Sequence, residues 1–100
     1  MKKINILIKH PGEKWEMVTI ADELKEHQRL VGGRIECVPG VAPNTIFIVN
    51  DEGKWKGLTP NFAFRGDVLV GNVLCVGVSG EDFTDCPITA HELNTIFERR

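Results

Sequence analysis

Thr45-Ile46-Phe47-Ile48-Val49 is an unbroken apolar run rich in β-branched residues. Such a run suits a central strand covered on both faces, because neither face is left polar enough to meet water. Upstream, Arg34-Ile35-Glu36-Cys37-Val38 alternates and predicts a second strand, stopped by Pro39-Gly40. Further back, Ile4, Ile6 and Ile8 alternate with Asn5, Leu7 and Lys9, again the period of a strand. Pro11-Gly12 supplies the fixed φ and the positive φ of a type II turn, and Trp15 to Thr19 reads as the return strand of a β-hairpin. Between hairpin and central strand, Ile20, Leu24, His27 and Val31 fall near helical spacing, with acids and bases on the wet side. Thr19 and Asp22 resemble a capping box at its start, and Gly32-Gly33 closes it with a left-handed cap.

Downstream of the central strand, Asn50-Asp51-Glu52-Gly53 is a turn and Lys54-Trp55-Lys56 is expected to be a short edge strand, lysines outward and tryptophan inward. Residues 57–66 read as irregular, punctuated by Pro60, and residues 68–78 as one long strand bent at Gly71 and Gly77. The last element is a helix opened by a Thr89-x-x-Glu92 capping box, with Ile88 and Leu93 as its hydrophobic staple and Arg99 and Arg100 at its negative end. The expected fold is α+β: a mainly antiparallel sheet with an N-terminal β-hairpin, one helix after it and a C-terminal helix. At 100 residues the chain has room for a single domain, 1–100, and one modest core.

A formal charge of -2 gives no bulk attraction to nucleic acid or to an anionic membrane surface. The lysines after Met1 imitate a signal peptide, but the apolar stretch breaks at Asn5 and meets Lys9-His10-Pro11. No run approaches the ~18 apolar residues of a membrane helix. Three cysteines at scattered positions fit a reducing compartment, so the expected location is the cytoplasm.

The chemical motifs are sparse. Cys75, Cys86 and His91 lack the short clamp spacing of a zinc site, and no cofactor or metal is expected. Cys37 and Cys75 lie in apolar strands and read as core thiols, slow to react, while Cys86 in a polar turn should react faster. No G-x-S-x-G elbow surrounds Ser79, and no phosphate loop is present. Trp55 flanked by Lys54 and Lys56 is a stacking group if exposed. Asn61 and Arg65, on the segment with Phe62 and Phe64, suit recognition of an amide or base edge and of a carboxylate or phosphate. The competing reading has the two phenylalanines pin the segment to the core while Asn61 satisfies backbone groups.

Leu30-Val31-Gly32-Gly33-Arg34-Ile35-Glu36, Val49-Asn50-Asp51-Glu52-Gly53-Lys54, Gly57-Leu58-Thr59-Pro60-Asn61 and the glycine-bearing strand from Asp67 to Leu74 together resemble the family called domain of unknown function 3846, over nearly the whole chain. The resemblance implies a small protein of phages, plasmids or other bacterial mobile elements, with no established catalytic or binding residues to carry over. The expected function is a non-enzymatic accessory protein that binds a host protein or a small polar ligand through Trp55, Lys56, Asn61 and Arg65. The alternative is an anti-defence sponge for a nucleotide signal, its pocket expected at a homodimer interface. A thiol enzyme using Cys86 and His91 is the third class.

Overall fold

Period-two alternation in the first strand sets up two cores, one on each face of a sheet. In the computed structural model, which describes residues 2–98, β1 (Lys3–Lys9) turns Ile4, Ile6 and Ile8 to one face and Leu7 to the other. Gly12 has φ +78° and the Glu13 N–H donates to the His10 carbonyl at 3.0 Å, as a Pro-Gly turn of type II requires. β2 (Glu16–Ala21) then pairs back antiparallel, Ile4 opposite Ile20. Pairing continues to Ala21, which keeps Thr19 extended, and its hydroxyl donates to Asn5 Oδ1 at 2.6 Å. The expected Thr19–Asp22 capping box is therefore not formed. α1 (Leu24–Val31) starts after Glu23, whose side chain makes no capping bond, and ends at Gly32 with φ +82° as expected.

β3 (Ile35–Pro39) and β4 (Thr45–Asn50) form the next antiparallel pair, with Cys37 opposite Ile48. Residues 68–78 are not one strand: Gly71, at φ +73°, separates β6 (Asp67–Val70) from β7 (Val73–Ser79). β7 runs between β1 and β4, giving the order β2-β1-β7-β4-β3, with β8 (Asp82–Thr84) folded back on the end of β7. Every pairing is antiparallel. Residues 60–64, expected to be irregular, are a strand. β5 (Pro60–Phe64) pairs with β6 as a separate two-stranded ribbon. Its two-residue turn has φ +51° at Arg65 and +79° at Gly66, the positive pair of a type I′ hairpin. α2 (Ala90–Glu98) closes the described chain.

The sheet is covered on both faces. α1 lies over Ile4, Ile6, Ile8, Ile48, Leu74 and Val76, and contributes Val31 and the fully buried His27. The His27 ring packs on Phe83, centroids 4.9 Å apart, and Nδ1 is 2.8 Å from the Glu23 carbonyl. Donation from Nδ1 leaves Nε2 as a bare lone pair, a milder defect in an apolar core than an unpaired N–H. The ribbon and α2 cover the other face, over Leu7, Phe47, Val49, Val73 and Cys75. Trp15, 3% exposed, stacks on Phe47 at 5.7 Å there, and Phe62, Phe64 and Phe97 surround the pair. Asn94 of α2 holds the Trp15 backbone at both ends, accepting from its N–H and donating to its carbonyl. The Thr89–Glu92 capping box is present: the Glu92 N–H donates to Thr89 Oγ1 at 3.0 Å, and Leu93 is fully buried. Arg99 and Arg100 lie outside the described residues. Among the described residues no helix is long and apolar enough to cross a membrane.

Two further expectations fail. Residues 54–56 do not pair as a strand but coil through consecutive turns, with the Lys56 N–H bonded to the Glu52 carbonyl and the Leu58 N–H to that of Gly53. Trp55 consequently points outward. Cys37 is exposed rather than core, because β3 is the sheet's edge and Cys37 lies on the face turned from the ribbon, beside the α1 cover.

Candidate functional site

A groove runs between the edge strand β3 and strand β6 of the ribbon. Period-two alternation puts Glu36 and Val38 on the ribbon side of β3, and the register sets them opposite Val49 and Phe47 of β4. Asp67, Val68 and Leu69 form the facing wall. The turns that follow β4 close one end and carry Lys54 and Trp55 to the rim; this part of the groove holds about 220 Å³. Trp55 is 94% exposed, against 3% for Trp15. At the other end a smaller hollow of about 150 Å³ shares Val38, Asp67 and Leu69 and is bounded by Pro39, Phe64 and Arg65.

The lining is acidic. Glu36, Asp51, Glu52 and Asp67 contribute carboxylates against the single ammonium of Lys54. Asp51 is paired with Arg34 at 3.4 Å, Glu52 with Lys56 at 3.9 Å and Asp67 with Lys54. Among the described residues Glu36 has no ion-pair partner. The Lys54 hydrogen bond, helped by the Val68 N–H, holds the Asp67 carboxyl below its ordinary value. Exposed pairs of this kind are worth no more than about 1 kcal/mol each, so an incoming cation exchanges with them at little cost.

The four residues singled out from the sequence do not converge. Trp55 and Arg65 stand at opposite ends of the groove. Arg65 lays its guanidinium 5.0 Å from the Phe64 ring centre and reaches the Gly40 carbonyl at 3.5 Å. Lys56 is not itself part of the lining; its ammonium lies between Glu52 and the backbone at Gly33. Asn61 is a clamp: its amide donates to the carbonyls of Lys9 and Gly71, both at 2.8 Å, and its oxygen accepts from Lys9 Nζ at 2.7 Å. That satisfies a loop backbone where ribbon meets sheet, as the structural reading of this residue required. Glu36 and Asp67 were missed, although the period-two alternation of residues 34–38 already put Glu36 on the face of Val38.

The family model of a domain of unknown function, DUF3846, matches residues 1–98. The chain belongs to that family. No curated protein and no solved structure matches it.

In this DUF3846 chain the thiol of Cys86 faces another thiol. Among the described residues no histidine hydrogen-bonds Cys86; its sulfur lies 3.7 Å from that of Cys75. His91 is exposed on the first turn of α2. Among the described residues no three His, Cys, Asp or Glu side chains converge to hold a metal ion.

Proposed function

We propose that the chain is a non-enzymatic binding module whose working surface is the acidic groove between β3 and β6, and whose partner is a host protein presenting a basic segment. The observation that carries this reading is Trp55, a ring 94% exposed on the rim of a groove lined by four carboxylates and one lysine. An indole left in water contributes nothing to this core. Beside carboxylates it forms one wall of a cation site, since arginine and lysine are attracted both to its face and to the acids. The groove walls are strands, which suits an extended guest laid along them. A nucleotide, the alternative ligand, meets the unpaired Glu36 carboxylate as repulsion and, among the described residues, gains no uncommitted cation from the lining, which favours the protein partner. The family resemblance and the three free cysteines support an accessory role in a bacterial mobile element, exerted in the cytoplasm.

Calorimetric titration with a short arginine- and lysine-rich peptide, run beside a panel of nucleotides, tests the reading. The expected result is salt-sensitive peptide binding, abolished by Trp55→Ala and weakened by Glu36→Gln. Binding of the nucleotides but not the peptide, or peptide binding untouched by both substitutions, contradicts it.

A further inference from the structure

Cys75 and Cys86 are eleven positions apart in sequence, and the fold sets their sulfurs in contact at 3.7 Å. Cys75 sits on β7, wholly buried among the aromatic core. Cys86 follows β8 and is held in place by its backbone. Its N–H donates to the Asn5 carbonyl at 2.8 Å, and the preceding Asp85 carboxylate accepts from the Asn5 N–H at 2.8 Å. Gly77 makes the approach possible, because a Cβ there would run into the Asp85 carbonyl. Cys86 is half-buried and lines a cleft of about 340 Å³ with Leu7, Met17, Pro87 and Ile88.

We propose that Cys86 is an oxidisable thiol and Cys75 its resolving partner, the pair closing to a disulfide when a peroxide enters the cleft beside α2. The order is fixed by access: Cys75 is sealed in the core, so the oxidant meets Cys86 first. The Cys86 thiolate attacks one peroxide oxygen, the O–O bond breaks, and the products are a sulfenic acid and hydroxide, or an alkoxide from an alkyl peroxide, which takes a proton from water. The Cys75 sulfur then attacks the sulfenic sulfur; the S–S bond forms, the S–O bond breaks, and the Cys75 proton leaves with the hydroxyl as water. Two thiols are oxidised and one peroxide is reduced. The sulfurs need only close from 3.7 Å to about 2.05 Å.

Charge supports the assignment. With Cys86 as thiolate, the Cys75 thiol is the donor to it. That bond, with the Ile88 N–H, brings Cys86 down to about 7 against the opposing burial and the Glu92 carboxylate. The same contact, with burial, pushes Cys75 up. Cys37, exposed on the other face at the edge of the sheet, is an internal control with no thiol beside it.

Treatment of the reduced protein with hydrogen peroxide, alkylation without reductant and peptide mapping reads the result. The expected outcome is one bond joining the Cys75 and Cys86 peptides, with loss of two hydrogens, restored by a thiol reductant and absent in Cys86→Ser. In Cys75→Ala, Cys86 should instead accumulate as a sulfenic acid captured by dimedone. Persistence of alkylatable Cys75 and Cys86 in the peroxide-treated parent, or bonding only through Cys37 between molecules, overturns the proposal. The parent measurement does so whether or not either variant folds.

Discussion

The β5–β6 ribbon and the turns at residues 51–57 lie side by side along one groove, yet they use their aromatic rings in opposite ways. The ribbon drives Phe62 and Phe64 down against Phe47, at 5.5 and 5.1 Å between ring centres, and Asn61 ties its backbone to β1 and to Gly71. The turns hold their own backbone by local hydrogen bonds and leave Trp55 in water. A connecting segment is structural when its rings and its amides both find partners in the core. When the backbone is self-sufficient, an outward ring answers to something other than folding.

The strongest way to break this contrast is Phe62→Ala. Phe62 packs on Trp15, Phe47 and Phe97, the last at 4.6 Å, and Lys9 lies over its face at 5.8 Å. Because the ring is only half-buried, the expected loss is about 2–3 kcal/mol, below that of a fully enclosed phenylalanine. A urea midpoint unchanged from the parent would make the ribbon an ornament rather than a wall of the core. Asn61→Ala comes next, at about 1–3 kcal/mol, since it strands two carbonyls and the Lys9 ammonium. Thermal melts should place it between Phe62→Ala and the parent.

Thr89→Ala tests the other half of that cover. It removes the acceptor of the Glu92 N–H and should cost about 1 kcal/mol in chemical denaturation, loosening the helix that carries Leu93 and Phe97. The smallest effect belongs to Arg65→Asn. Asparagine tolerates the left-handed φ of +51° better than arginine, worth up to about 1 kcal/mol, while loss of the stack on Phe64 costs about 0.5–1 kcal/mol. The two nearly cancel, and a melting temperature within a degree or two of the parent is expected. A large drop would move Arg65 from the groove's rim to the ribbon's foundation.

Much of this architecture was legible in the sequence, and for identifiable reasons. Ile4, Ile6 and Ile8, the run from Thr45 to Val49, the Pro11-Gly12 turn and the Thr89–Glu92 cap each carry local chemistry that allows one conformation. The ribbon was hidden because Arg65-Gly66 is an uncommon way to write a type I′ turn, which normally announces itself as Asn-Gly or Asp-Gly. Trp55 misled for a different cause. Flanking lysines are compatible with a strand edge and with consecutive turns alike, and only the hydrogen bonds from Glu52 to Leu58 decide between them. The groove and the Cys75–Cys86 contact depend on segments far apart in sequence, such as β3 with β6 and Asn5 with residues 85–86. Periodicity carries no information about such meetings. Among the four residues first singled out, Asn61 shows how a polar side chain on a loop serves folding when its partners turn out to be backbone carbonyls.

The central claim is that the exposed ring reads a partner while the buried one holds the fold. The chain contains two tryptophans, so two indole N–H signals in a ¹⁵N–¹H spectrum report on the two regions separately. During titration with the basic peptide, the Trp55 signal should shift progressively to saturation while that of Trp15 stays in place. If both remain fixed, or if Trp15 moves and Trp55 does not, the groove between β3 and β6 is not the binding surface.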